Sequence, residues 1–310
     1  MSYLGIIRRA IDRSIESPKL GLRDINKAYY ALRHGNDYYG KGADFLNEDW
    51  DTLIILDACR YDLFCETNIL DGELSHKISR GSHTSQFLYG NLKNKRLQDT
   101  VYTTATPQLS RYSDKINARF TKVYDVWNSN LWNQKIGTVL PEKMTRAAIE
   151  SHRNHPNKRH IIHYLQPHYP FIDSELDNKS KDQLVEPDGN YGVWRYIFTG
   201  NIDVDRDVIW DAYKSNLKIA MESVKKLLDH ISGRIIVTSD HGNMVGERSF
   251  PIPIREWGHP SRLYTKKLVK VPWLTIDQGD RRKITSEAQS TRPKSNDSIV
   301  NDRLKDLGYL

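Results

Sequence analysis

Only two cysteines, Cys59 and Cys65, occur in the 310 residues. Two thiols exclude a disulfide framework and a cysteine-rich zinc site. No stretch approaches the roughly 18 consecutive apolar residues of a membrane span, so no transmembrane helix is predicted. The first residues lack an apolar core followed by a small-residue cleavage site, so no secretory signal is predicted. These absences together lead to an expectation of a reducing cytoplasm. Charge of one sign is not concentrated either. The net charge is +7, and apart from Lys266, Lys267, Lys270 and Arg281-Arg282-Lys283 the basic residues are spread along the chain. A solvated surface is expected, and a nucleic-acid partner is disfavoured. What is present is core material. Hydrophobic residues make up 38%, with seven Trp, enough for one large α/β domain or two smaller ones.

Residues 1–45 read as an N-terminal helical appendage to a catalytic domain at 46–310. Leu4, Ile7, Ile11 and Ile15 fall on one helical face with Arg9 and Arg13 opposite. Docking on the main domain is the favoured use of that stripe. Pairing with another subunit and peripheral membrane contact through residues 1–20 stay open. From about residue 50 strands and helices alternate. Strands are predicted at 51–56, 101–104, 122–126, 160–165, 234–238 and 271–276, and a long helix at about 205–230. Its inner face carries Leu217, Ala220, Val224, Leu227 and Leu228. Residues 277–298 read as a polar loop, and a short helix over 298–307 is predicted to end at Gly308. Helices between strands imply a three-layer α/β/α sandwich with a mostly parallel central sheet.

Four sequence-distant groups are candidates to meet at the C-terminal edge of that sheet, where open α/β sheets place their chemistry. Asp57 directly follows the run Thr52-Leu53-Ile54-Ile55-Leu56; its plain alternative is a helix N-cap. Gly81-Ser82-His83-Thr84-Ser85 is a glycine- and hydroxyl-rich turn, either a cap or the seat of a nucleophile. His163 and His168 lie five residues apart, the second between Pro167 and Pro170, which stiffen the loop. Asp240-His241 ends the run Arg234-Ile235-Ile236-Val237-Thr238-Ser239, and His259 follows in Trp257-Gly258-His259-Pro260. Carboxylates and imidazoles of this kind suit zinc or manganese. Their number suffices for two ions ~4 Å apart, which can clamp an in-line displacement at phosphorus or sulfur.

The order of these pieces resembles the alkaline phosphatase superfamily, with its sulfatases and phosphoethanolamine transferases, over roughly residues 50–310. Thr52 to Ala58 is similar to a first strand ending in a metal-binding acid. Ser239-Asp240-His241-Gly242 followed by Gly246-Glu247 is the most specific match, and Gly258-His259 resembles a later ligand. Leu304-Lys305-Asp306-Leu307-Gly308-Tyr309 is similar to the close of many sulfatase-like chains. Gly81-Ser82-His83-Thr84 resembles the Gly-Thr-x-Thr turn of phosphoethanolamine transferases, which favours Thr84 over Ser82 and Ser85 as nucleophile. The formylglycine signature Cys-x-Pro-Ser-Arg is absent. The Asp-x-x-x-His that often serves a second ion is absent too, since Gln166 and Pro167 precede His168.

The resemblance implies an alkaline-phosphatase-like fold and a metal-dependent hydrolase of phosphate or related sulfate esters. Asp57, Thr84, Asp240 and His241 would hold a first divalent ion, zinc or manganese, and His168 and His259 a second. Thr84 would attack in line, with Arg60 and Arg248 as candidates to stabilise equatorial oxygens. The alternatives are a phospho-group transferase modifying a glycan or lipid and a non-catalytic binding module. Substrate specificity is expected in 105–150 and 172–204, where Trp127, Asn128, Trp132, Asn133, Tyr191 and Trp194 suit a glycan-linked ester or cap the core.

Overall fold

A computed structural model describes residues 12–35, 37–172, 192–286 and 296–309. Leu4, Ile7 and Ile11 of the predicted apolar stripe lie outside the described residues, and Ile15 is 84% exposed. Among the described residues no helix is long and apolar enough to cross a membrane.

Eleven strands are described: β1 (Thr52–Leu56), β2 (Glu73–Ile78), β3 (Arg96–Thr104), β4 (Arg119–Asp125), β5 (Trp132–Asn133), β6 (Thr138–Val139), β7 (Arg159–Tyr164), β8 (Gly233–Thr238), β9 (Met244–Arg248), β10 (Arg255–Gly258) and β11 (Lys270–Gln278). Seven of them form one sheet in the order β2-β11-β8-β1-β7-β3-β4. Only β11 in that sheet runs against its neighbours. The principal helices are α1 (Pro18–His34), α2 (Tyr61–Thr67), α3 (Thr84–Leu92), α4 (Pro141–Asn154), α5 (Val193–Thr199), α6 (Arg206–Leu228) and α7 (Asp297–Asp306).

The sheet is covered on both faces, so its central strand reads as a continuous apolar run rather than an alternating one. Alternation survives in which face each side chain serves. Ile54 and Leu56 of β1 join Leu63 and Phe64 of α2, Met144 and Ala148 of α4, and Leu217, Ala220, Val224 and Leu227 of α6. Leu53 and Ile55 point the other way, to Phe87, Leu88 and Leu92 of α3. Each fully buried aliphatic side chain contributes about 1.5–3 kcal/mol. The three-layer α/β/α architecture is therefore present, with the mostly parallel sheet expected.

Local boundaries differ from the sequence expectation where polar residues mask strands. β3 and β4 begin at Arg96 and Arg119, earlier than predicted, because edge positions there are exposed and carry charge. β2 (ELSHKI) escaped notice because it is an edge strand with no buried residue. The 14-residue α4 occupies part of the segment read as a specificity loop. Trp127, Trp132 and Trp194 of the proposed specificity segments are buried in the core, while Asn128 is exposed and Tyr191 lies outside the described residues.

Helix α1 opens with Pro18 in its first turn and docks on the β9–β10 hairpin through polar pairs. Arg23 Nε donates to Glu256 Oε2 at 2.8 Å, both side chains being buried, and the Arg23 guanidinium lies 3.3 Å above the Phe198 ring. The Asn26 amide donates to Ser249 Oγ and to the Ile252 carbonyl, both at 2.9 Å. This hairpin leads directly to His259.

A second buried pair sets a pH response. The His160 ring of β7 stacks on His152 of α4 with centroids 3.7 Å apart. Burial pushes His160 down to about 3 and lowers His152, helped by each other's proximity in the case of His152 and by Arg282. The folded protein thus binds fewer protons than the unfolded chain below the ordinary imidazole pKa. Stability should be full above about pH 6.5 and fall as pH drops towards 3, by up to about 1.4 kcal/mol per pH unit for each imidazole. Urea unfolding at pH 7.5 and pH 5.0 checks this; equal midpoints at the two pH values would contradict it.

Candidate metal centre

Strand order creates the site. β1 lies between β7 and β8, with Ile55 level with His163 on one side and Thr238 on the other. Parallel neighbours run about 4.8 Å apart. Asp57, His163 and Asp240, distant in sequence, therefore come together at one sheet edge. All three are fully buried.

Asp240 is held by one oxygen and presents the other. Its Oδ1 accepts from the backbone N–H of Ala58 at 3.0 Å and of His241 at 2.9 Å. Its Oδ2 has no hydrogen-bond partner. Ala58 adopts a φ of 60°, a conformation uncommon outside glycine, and is pinned there by that bond and by the Tyr213 hydroxyl donating to its carbonyl. Ser239 Oγ donates to the His241 carbonyl at 2.6 Å and accepts from Cys59 N at 2.8 Å, tying the end of β8 to the end of β1. Gly242 is required by space: a Cβ there would lie 2.0 Å from the Lys267 carbonyl oxygen.

His241 Nδ1 lies 2.8 Å from the Gly242 carbonyl, which requires the proton on Nδ1 and leaves the Nε2 lone pair facing Asp240 and Asp57. His163 is oriented in the same manner. Its Nδ1 lies 2.8 Å from the Tyr102 hydroxyl, and its Nε2, 3.7 Å from Asp57 Oδ2, has no hydrogen-bond partner. His163 was noted in the sequence only for its spacing from His168; as the penultimate residue of β7, beside Asp57, it belongs to this centre.

Thr84 is the first residue of α3 and is fully buried. Its Oγ1 lies 3.1 Å from His241 Nε2, 3.5 Å from each Asp57 oxygen and 3.0 Å from the Tyr309 hydroxyl. The cap of α3 is His83, whose Nδ1 accepts from Ser85 N at 3.1 Å. Thr84 is thus free of the capping duty that hydroxyls usually perform there. Gly81 permits the turn, since a Cβ would stand 2.5 Å from Phe87 N. Of the rival hydroxyls, Ser82 Oγ is engaged with Gln86 and the Pro260 carbonyl, both at 3.1 Å, and Ser85 Oγ with His83 at 2.9 Å.

His168 and His259 form the second group. Their Nε2 atoms lie 2.6 Å apart, and His168 Nδ1 donates to the Tyr169 carbonyl. Asn216 of α6 clasps the His168 loop, its amide donating to the carbonyls of Pro167, His168 and Pro170 at 3.0–3.3 Å. Nothing local in the sequence marks Asn216, because its partners lie about fifty residues upstream.

Electrostatics favour a cation. Burial and the neighbouring Asp240 push the Asp57 carboxyl well up, whereas Asp240, despite its burial, is lowered by His241, His163 and the Ala58 N–H. Two adjacent buried carboxylates cannot both ionise without a counter-charge. Burial holds His163 and His168 down at about 4, His83 at about 3 and His259 well below the ordinary value. Neutral imidazoles with free lone pairs are what a metal ion requires. Ligand atoms of Asp57, His163 and Asp240 lie within 4.8 Å of one another. The donor set therefore fits a divalent ion, with oxygen and nitrogen ligands suited to zinc or manganese.

Neither candidate arginine is arranged to serve Thr84. The Arg60 guanidinium is spent on Asp62 at 2.6–2.8 Å, Glu247 at 2.5 Å and the Asn243 carbonyl at 3.3 Å, beneath Trp210. Arg248 is exposed on β9 and donates to the Pro253 carbonyl at 3.2 Å. Their expected place at the equatorial oxygens is corrected accordingly: both lie within the motif, but tertiary contacts turn their donors elsewhere.

No family model matches the chain, and no curated protein matches it either. Solved structures do. The chain is similar to the C-terminal periplasmic domain of EptC from Escherichia coli in complex with zinc, at 12% identity over 76% of each chain and a TM-score of 0.45. It is similar to the soluble domain of lipooligosaccharide phosphoethanolamine transferase A from Neisseria meningitidis, at 11% identity over 72% of this chain and 75% of that one, with a TM-score of 0.45. It is also similar to a protein in the alkaline phosphatase superfamily from Vibrio parahaemolyticus, at 13% identity over 86% of this chain and 68% of that one, with a TM-score of 0.40. The cytoplasmic, membrane-peripheral location expected from the sequence is corrected here: periplasmic domains stand among the similar structures, and the expectation rested on little more than two unpaired cysteines. The chain is alkaline-phosphatase-like in its fold as in its strand-end motifs.

Proposed function

We propose that the chain is a metal-dependent enzyme that passes a phospho group through Thr84 to an acceptor hydroxyl on a glycan or lipid. The observation that carries this is the buried Thr84 Oγ1 set among Asp57, His241 and Tyr309, beside the unpartnered Asp240 Oδ2 and His163 Nε2. Asp57, Thr84, Asp240 and His241, joined by His163, are the proposed ligands of one divalent ion, and His168 and His259 of a second. Such ions, when bound, lower the pKa of a coordinated hydroxyl and neutralise charge on phosphoryl oxygens.

Thr84 Oγ1 bonds to phosphorus as the bond from phosphorus to the donor's oxygen breaks; the threonine gives up its proton and the departing alkoxide takes one up. In the second half the acceptor oxygen bonds to phosphorus, Oγ1 leaves, and a proton passes from the acceptor to Thr84. Water as acceptor would make the same site a hydrolase, the activity first expected from the sequence. Transfer is preferred because Thr84 is fully buried, and because phosphoethanolamine transferases are among the similar structures.

A p-nitrophenyl phosphodiester offered to metal-loaded protein tests this, with increasing glycerol or sugar as acceptor. We expect a phosphorylated Thr84 in the mass spectrum of quenched protein and a growing share of transfer product as acceptor rises. Hydrolysis product alone at every acceptor concentration would sink transfer; turnover with no adduct on Thr84 would sink the nucleophile.

A further inference from the structure

With both arginines committed elsewhere, Thr84 lacks the cationic fork that the sequence offered for equatorial oxygens. The structure brings a different donor to the same place. Helix α7 closes in a turn in which Gly308 N donates to the Lys305 carbonyl at 2.8 Å and Tyr309 N to the Leu304 carbonyl at 2.9 Å. This is the paired bonding of a Schellman motif, and Gly308 takes the required positive φ of 71°. Val300, Leu304 and Leu307 anchor the helix in the main core. A Cβ on Gly192 would lie 2.0 Å from the Gly308 carbonyl, so the turn is also packed against the start of α5. Tyr309 is therefore aimed by a built turn.

The Tyr309 ring stacks on His168, with centroids 4.7 Å apart and planes 19° apart. The rings of His83 and His259 lie 5.3 and 5.4 Å away. Its hydroxyl donates to Asp57 Oδ2 at 3.2 Å and sits 3.0 Å from Thr84 Oγ1. An oxygen on phosphorus bonded to Oγ1 lies one bond angle from Oγ1, within reach of a donor so placed.

We infer that Tyr309 is a further catalytic residue whose hydroxyl donates a hydrogen bond to a non-bridging oxygen of the phospho group as that group bonds to Thr84. The inference rests on the assignment of Thr84 as nucleophile. The tyrosine keeps its proton throughout; its O–H turns from Asp57 to the phosphoryl oxygen, and no bond other than the hydrogen bond changes. A donor aimed where charge develops acts mainly in the transition state, so its loss lowers kcat more than it raises KM.

Tyr309→Phe removes the hydroxyl and keeps the ring against His168. We expect kcat to fall by about 10²-fold, with KM, metal content and unfolding midpoint close to those of the unsubstituted protein. Inorganic vanadate, which adopts the five-coordinate geometry of the transition state, should bind about tenfold more weakly, a readout independent of turnover. Unchanged kcat and vanadate affinity would overturn the inference. A rise in kcat would overturn it as well, because Tyr309 would then be obstructing Thr84. A fall that tracks lost metal would reduce Tyr309 to holding Asp57 in place. The reading beneath stands or falls separately: turnover surviving Thr84→Ala removes the nucleophile, whereas an inert Tyr309→Phe in a Thr84-dependent enzyme removes only the tyrosine.

Discussion

Thr84→Ala is expected to lower kcat on the order of 10⁵-fold, the loss typical of deleting a nucleophile outright, while leaving the protein folded. The structural side of this expectation is unusually clean for a buried residue. Thr84 opens α3, but the cap is made by His83 Nδ1, so the alanine variant keeps the helix start. What disappears is one hydroxyl and its contacts to His241, Asp57 and Tyr309. A buried hydrogen bond of this kind contributes about 1 kcal/mol, too little to unfold a domain with two large core clusters. Thr84→Ser restores an oxygen at the same place and should recover part of the rate. Activity, unfolding midpoint and the phosphothreonine signal, measured on all three proteins, separate loss of chemistry from loss of structure. Full activity in the alanine variant would falsify the assignment and leave Ser82 or Ser85 to be considered, although both are already engaged in other hydrogen bonds.

The second large effect belongs to Asp240, and here affinity and stability should move in opposite directions. Asp240→Asn keeps an oxygen for the Ala58 and His241 N–H groups while removing the charge that faces Asp57. Asp57 is held above the carboxylate range first by burial and then by this neighbour, so the substitution should bring its pKa part of the way back down. Metal-free protein should consequently be no less stable than before. Metal affinity should fall by more than the roughly 10–100-fold that loss of a residue orienting a ligand costs, and turnover should fall with it. Asp240→Ala adds a structural penalty, since two buried N–H groups lose their acceptor at about 1–3 kcal/mol each. Elemental analysis of dialysed protein, with unfolding midpoints in the presence of a chelator, distinguishes these effects. Native protein that binds no zinc or manganese under any loading condition would end the metal-centre assignment altogether.

Much of this centre was legible because its parts are local. Asp57 and Asp240-His241 each follow a short run of β-branched or aliphatic residues, and such runs in a parallel sheet end at the edge where ligands bind. The long helix was legible for a similar reason: its apolar residues recur at helical spacing, and the structure places it at Arg206–Leu228, with Leu217, Ala220, Val224 and Leu227 buried as expected. The edge strand β2 was not legible, because an exposed strand has no buried face and its composition matches that of a loop.

Other parts required the tertiary structure. His163 becomes part of the metal centre through the register between β7 and β1, which no spacing within β7 encodes. Asn216 and Tyr309 act across roughly fifty and two hundred residues, as neighbours created by packing α6 and α7 onto the sheet. Arg60 shows the reverse. Its place in a motif pointed to the reacting group, yet a guanidinium has a fixed set of donors, and Asp62 and Glu247 take them first. By itself the sequence determined the sandwich, the strand-end acids and the threonine, because strand and helix periodicities and the turn residues that end them are properties of short segments. Which imidazoles and hydroxyls face those acids, and which arginines do not, was decided only when the strands took their order, since that order sets which distant residues share a desolvated edge.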